Sequence, residues 1–355
     1  MIRKLGLCLV LLLLPEMITL AQNKLIDQKS GIYQETPGKQ AHFLNIQEFR
    51  IDPQSVILSM PVKILRHLDK IYILDRKQSK IFVFNSDGAF LYAIGQPGQG
   101  PGDLEYPNDF AIKSNEIYII NSGIKRLEVF SLDGKFIKRI QLEVPSRYPF
   151  ANPARVLVGN EDKIYVSYSL NDALIDSYLE SGQYERALLK REKPIAVPGM
   201  NIGNSSHIQF VDGGKAILHF DYFTGLFTKV SLNGNILGTF SAYNELQKKA
   251  QDKVIIDLKK EYANPTRPGV RIEEFELWSN NPCVEETGDI LALLLLRERG
   301  TSQRIFVFSA DGLLKYVTPL DYFINKPIKS MFVLRSQYFF LTQENQIFMA
   351  ERRRQ

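Results

Sequence analysis

The sequence predicts an all-β chain folded as a six-bladed β-propeller of four-stranded antiparallel blades. Its ring closes where an N-terminal strand pairs with the C-terminal strands, and one helix is inserted near residues 243–262. Three observations lead there. A hairpin signal recurs along the chain at nearly constant spacing. A strand of the Ile-Tyr-Ile kind stands before several of these hairpins. The two chain ends carry incomplete sets of strands that complement one another.

The hairpin signal is a β-rich run, a pair ending in Gly, and a second β-rich run. It is sharp at Ile81–Tyr92, Leu127–Lys138, Phe227–Gly238 and Ile305–Tyr316, and weaker at Ser177–Tyr184. Asp-Gly or Asn-Gly between strand-like runs is a strong hairpin signal, since both residues tolerate positive φ. The turn glycines Gly88, Gly134, Gly182, Gly234 and Gly312 are 46, 48, 52 and 78 residues apart. Periods near 40–50 with four strands each mark propeller blades. Lys70–Asp75, Glu116–Asn121 and Lys163–Tyr168 supply the strand before the first three hairpins, and a further strand such as Asp109–Ile112 precedes that.

Five blades follow from the turns. The sixth comes from the ends: Met331–Leu334, Tyr338–Thr342 and Ile347–Ala350 are three strands with no fourth, and His42–Ile51 is a strand with no hairpin partner. An unpaired edge invites aggregation, so pairing the two ends is the expected solution. The long gap before Gly312 is explained by the helix: Leu246, Ala250, Val254 and Leu258 repeat every fourth residue as one apolar stripe, and Pro265 and Pro268 stop it. Such a helix caps one face of the ring or walls a binding site.

Composition narrows the class of protein. With 45% hydrophobic and 23% charged residues the chain has enough apolar matter for a core. The net charge of +5 arises from 44 basic and 39 acidic residues mixed along the chain. The only dense basic run is Arg352-Arg353-Arg354, so no nucleic-acid partner is expected. Residues 1–21 read as a signal peptide: Arg3 and Lys4, an apolar stretch from Leu5 to Leu14, then Ala21 as the small residue before cleavage. The mature chain, 22–355, is then one propeller, periplasmic or secreted, with no apolar stretch long enough to span a membrane. Cys8 lies inside the apolar stretch after Leu7, where a lipobox needs a small residue, so the chain is not expected to be a lipoprotein. Cys283 is the one cysteine of the mature chain and cannot form an internal disulfide.

The segment Gly95–Phe110, reading GQPGQGPGDLEYPNDF, stands between the first two blades. It resembles the inter-blade signature of NHL-type propellers, and more narrowly that of the exported six-bladed β-propeller proteins of Bacteroidetes. The resemblance implies the fold and export, and no biochemical activity. Gly98, Gly100 and Gly102 read as structural: Gly lets the backbone approach closely where the loop crosses the propeller face. A phosphate-binding P-loop is not expected, because Gly100 is followed by Pro101 and then a strand rather than Lys and a helix.

Functional residues are sought on the loops of one face, where rigid scaffolds carry function. Arg76, Gln99, Tyr106, Asn108 and Arg126 are the binding candidates, for a glycan, a peptide or another envelope protein. The alternative is a metal-dependent hydrolase or lyase, lactonase-like, with a divalent metal in the central channel held by Asn108, Asn121 and Asp221. Asp109 and Asn281 lie near strand ends and are further oxygen donors of that kind. The histidines His42, His67, His207 and His219 show no metal-binding spacing, and Gly203–His207 lacks the second Gly of a nucleophile elbow. A third possibility is a structural or assembly role.

Overall fold

The structure is a computed structural model. It describes residues 43–143, 152–160, 163–169, 173–190, 196–197, 200–201, 206–221, 225–241, 256, 281–294, 303–320, 324, 326–334 and 337–352. Six four-stranded antiparallel sheets form the blades, and in blades 1–5 the strands follow chain order from the inner to the outer strand. Blade 1 is Pro61–His67, Lys70–Asp75, Lys80–Asn85 and Phe90–Ile94; blade 2 is Pro107–Lys113, Glu116–Asn121, Arg126–Ser131 and Phe136–Gln141. Blade 3 is Asn152–Val158, Ile164–Ser169, Ala173–Tyr178 and Tyr184–Lys190; blade 4 is Ser206–Val211, Ala216–Asp221, Leu226–Ser231 and Ile236–Ser241. Blade 5 is Cys283–Val284, Ile290–Leu294, Arg304–Phe308 and Leu314–Pro319. Blade 6 is Ile328–Leu334, Gln337–Thr342 and Ile347–Arg352, and Phe43–Glu48 pairs with the last of these as its outer strand. Each inner strand neighbours that of the next blade, and blade 6 returns to blade 1, so the inner strands enclose a central channel.

The sequence pattern explains why blades stack. The second strands of blades 1 and 2 are buried over five consecutive residues, Ile71–Asp75 and Ile117–Asn121, instead of alternating in and out. A strand covered on both faces reads as a continuous apolar run. The core accordingly lies in the wedges between blades. Tyr72, Leu74, Ile81, Val83 and Ile94 of blade 1 meet Phe110, Ile117, Ile119 and Phe130 of blade 2, and equivalent sets fill the other wedges. Between blades 4 and 5 the packing is aromatic: Phe227 stacks on Phe220 and on Phe240, which meets Phe308. Each such side chain contributes roughly 1.5–3 kcal/mol on full burial. Outer strands face solvent, as Ile236–Thr239 do. Phe43 on the N-terminal strand sets its ring edge-on to Tyr338 and Phe340 at 4.9 and 5.2 Å, anchoring that strand to blade 6.

The five repeat turns join the third and outer strands of blades 1–5. Their geometry differs from the sequence expectation in one respect. The Gly alone has positive φ, between 85° and 89° at Gly88, Gly134, Gly182, Gly234 and Gly312, and the preceding residue does not. The strand register slips next to each turn. These are three-residue loops that end in a left-handed Gly and a bulge. The predicted signal peptide and nearly all of the predicted helix, residues 243–262, lie outside the described residues, with Ile256 the exception.

Candidate functional site

The loops that arrive from each outer strand, and the turns between second and third strands, share one face. The inner strands begin at that face, and there four of them share an irregularity. In blades 1, 2, 3 and 6 the pairing with the second strand slips between Pro61 and Lys63, Pro107 and Asp109, Pro153 and Arg155, and Ile328 and Ser330. The extra residue is Val62, Asn108, Ala154 or Lys329. Pro has no N–H for a ladder and is tolerated on an edge strand or at a bulge, and the inner strand is the edge that faces the channel. A bulge re-aims the side chain after it. In blades 1 to 3 that side chain is charged: Lys63, Asp109 and Arg155.

These charges converge. Lys63 Nζ lies 2.6 Å from Asp109 Oδ1, and 5.8 Å from the centre of the Phe110 ring. The other Asp109 oxygen accepts the Val156 N–H at 2.9 Å, so one buried carboxylate ties blades 1, 2 and 3 together. Burial lowers the Lys63 pKa; Asp109 opposes that shift and Arg155 adds to it. Among the described residues Arg155 makes no ion pair and no hydrogen bond through its side chain. His207, on the inner strand of blade 4, has its pKa held well below the usual 6.5, by burial first and then by the positive charges of Arg155 and Lys63. Blades 1 and 4 stand opposite one another in a ring of six, so an interaction between Lys63 and His207 crosses the channel. The side chains of Asn281 and Gln209 approach the imidazole closely enough to oppose the shift by hydrogen bonding. Its Nδ1 is buried with no hydrogen-bond partner among the described residues. The channel end therefore joins two cations, a carboxylate, a neutral imidazole and two amides.

The five binding candidates lie on the same face, in blades 1 and 2. Tyr106 is 68% exposed with φ of 51°, and Gln99 is exposed with its amide 2.9 Å from Glu105. Arg76 follows the second strand of blade 1, half-buried, its backbone N–H on Met60 O. Asn108 is the bulged residue of blade 2 and donates to Ser122 Oγ at 2.5 Å; that hydroxyl donates to Pro153 O at 2.6 Å. Arg126 is turned inward. Its Nε donates to the fully buried Glu128 at 2.5 Å, and another nitrogen reaches the carbonyls of Gln99 and Gly100 at 2.9 and 3.3 Å. Residues two apart on a strand share a face, which is how Glu128 draws Arg126 in. Arg139 adds bonds to Glu128 and Gly100 O at 3.0 and 2.7 Å. The Gly-Pro-Gly loop is thus fastened through its carbonyls. Gly98 is required there, since with φ of 150° a Cβ would lie 2.3 Å from Asp103 Oδ2.

Of the three metal candidates, Asn108 and Asn121 belong to blade 2 and Asp221 to blade 4. Asp75, Asn121 and Asp221 occupy one repeated position, the last residue of the second strand, paired with the first residue of the inner strand. At that position Asp75 accepts the N–H groups of Ser59, Met60 and Gln78 at 2.6, 3.0 and 3.0 Å. Asn121 accepts the Glu105 N–H at 2.6 Å and donates to Asp103 O at 2.8 Å. Both clamp the incoming loop. Among the described residues no group of three or more His, Cys, Asp or Glu is placed to hold a metal. Cys283 is buried, its Sγ 3.1 Å from Met331 O, and burial pushes its thiol up to about 12. His42 lies outside the described residues.

Sequence reading did not single out Lys63 or Arg155. The available signal was the repeat carried into the inner strands: Pro-x-Lys, Pro-x-Asp and Pro-x-Arg put Lys63, Asp109 and Arg155 at intervals of 46 residues.

Fold and site define a six-bladed propeller with a polar, charged channel end and a loop-bearing face. The chain belongs to the DUF5128 family, described as 6-bladed beta-propeller, whose model matches residues 53–231. Its structure is similar to that of a presumed exported protein from Bacteroides fragilis NCTC 9343, at 14% identity and a TM-score of 0.60, covering 92% of this chain and 98% of that one. A member of the duf4221 family from Bacteroides vulgatus ATCC 8482 matches at 12% identity and a TM-score of 0.56, over 88% and 97% of the two chains. Virginiamycin B lyase from Staphylococcus aureus matches at 14% identity and a TM-score of 0.51, over 86% and 99%. At these identities the likenesses speak for the fold alone. No curated protein matches the sequence.

Proposed function

We propose that this protein is an exported binding module that captures a glycan, a peptide or another envelope protein on its loop face. The observation that carries the reading is the convergence of Lys63, Asp109, Arg155, His207 and Asn281, from five blades, at one end of the channel. Polar groups gathered in a concavity with a rigid frame are what a specific binding site needs. Tyr106, just before the inner strand of blade 2, and Gln99, earlier on the same loop, offer an aromatic face and an amide on the loop face. Such contacts add area and orientation. Export rests on the amino-terminal segment, whose charge, apolar length and final Ala21 fit a cleaved signal.

No observation favours the metal-dependent hydrolase or lyase. Its candidates Asn108 and Asn121 are engaged in hydrogen bonds to Ser122 and to the loop that enters blade 2. Likeness to a lyase in fold supplies no chemistry, since one fold hosts many functions.

The test is capture on arrays of glycans and peptides, comparing the wild type with Tyr106→Ala and Gln99→Ala. Selective capture weakened by either substitution supports the reading. Absence of capture from both arrays and from envelope extracts of the native host would refute it.

A further inference from the structure

We infer that the loop-face end of the channel is an oxyanion site, where a carboxylate or phosphate group of the ligand docks between Arg155 and Lys63. The inference rests on the binding-module reading and names the chemistry that site recognises. The charge balance leads to it. Among the groups that act on one another around Lys63 and His207, two cations face one carboxylate, and Asp109 is already engaged by Lys63 as an ion pair at 2.6 Å and by the Val156 N–H at 2.9 Å. Arg155 is left without an internal counter-ion among the described residues; it follows the strand bulge of blade 3, where its charge acts on both Lys63 and His207. A half-buried guanidinium is costly to leave unpaired, and its planar fork suits two oxygens of one carboxylate or phosphate. The surroundings agree. The amides of Asn281 and Gln209 each carry N–H donors. His207 is kept neutral, and a neutral imidazole offers one N–H donor without adding a third positive charge. A cationic ligand would meet Lys63 and Arg155 head on.

The experiment is isothermal titration of the purified protein with inorganic phosphate and with citrate, each against potassium chloride at matched ionic strength. One or both anions should bind saturably. Whichever binds more tightly distinguishes a phosphate-bearing from a carboxylate-bearing ligand. Arg155→Gln should weaken that binding at least 10-fold, since a charge-assisted bidentate pair is lost. Lys135→Gln, on the opposite face and with its side chain 82% exposed, should leave it unchanged. No binding beyond the chloride control, or equal binding by Arg155→Gln and wild type, overturns the inference. The broader reading fails separately. Array capture that Arg155→Gln leaves intact removes the oxyanion site and keeps the binding module, whereas no capture at all removes both.

Discussion

Replacing Glu128 by Gln should loosen the loop that carries Gly98 to Leu104. Glu128 is fully buried and accepts from Arg126 Nε, Arg139 Nε and the Gly102 N–H at 2.5, 3.0 and 3.3 Å. Gln keeps the shape but removes the charge and turns an N–H₂ toward one of its former donors. Breaking a buried ion pair from one side costs roughly 3–5 kcal/mol, because the other charge stays behind. The Arg126 side chain is 10% exposed and cannot escape, whereas that of Arg139 is 33% exposed and can rehydrate. The cost should therefore lie at the lower end, about 3 kcal/mol. Denaturant unfolding followed by intrinsic fluorescence measures it. Arg126→Met combined with Glu128→Met should be less destabilised than the two single changes added, because neither charge is left unpaired. A loss below about 1 kcal/mol for Glu128→Gln would refute the reasoning, since that is within reach of an ordinary neutral hydrogen bond.

Three further outcomes follow. Gly182→Ala should cost about 3 kcal/mol and Gly213→Ala only about 1, in thermal melts: both need left-handed backbone, but a Cβ at 182 would lie 2.1 Å from Gln141 O, and none of its neighbours at 213 comes within 4 Å. His207 is neutral in the fold while the unfolded chain takes up a proton below about pH 6.5, so stability should fall as pH drops below that value, by up to about 1.4 kcal/mol per pH unit, and His207→Gln should flatten that slope. Thiol titration at pH 8 of the folded protein purified from its native host should find no reactive cysteine, because burial holds Cys283 as a thiol; after unfolding, one equivalent shows that Cys8 has been removed, and two equivalents show that it remains.

What could be read along the chain was local. The Asp-Gly turns, the Ile-Tyr-Ile strands and the Gly-Pro-Gly loop each depend on a few adjacent residues. A repeat multiplied the evidence, so blade count and family resemblance were legible. Turn type was not, because Gly-ending pairs serve both two-residue turns and the three-residue loops found here, and the choice lies in the register of the flanking strands. Arg126 illustrates a different limit. In the sequence it is a charged residue after a loop; that it turns inward follows from Glu128, Arg139 and the Gly100 carbonyl meeting in space.

The sequence by itself determined the all-β class, the period, the inter-blade Gly-Pro-Gly loop and the leader-like amino terminus, since these are patterns of neighbouring residues. Only the tertiary structure decided where the charges gather. Lys63, Asp109, Arg155 and His207 lie 46, 46 and 52 residues apart, and the Pro two residues before the first three marks a repeat without showing that the charges meet. The ring brings the starts of the inner strands to one channel end, and three of these residues follow a bulge there. Ring closure is long-range and bulge geometry is cooperative across paired strands, so the site exists only once the blades are assembled.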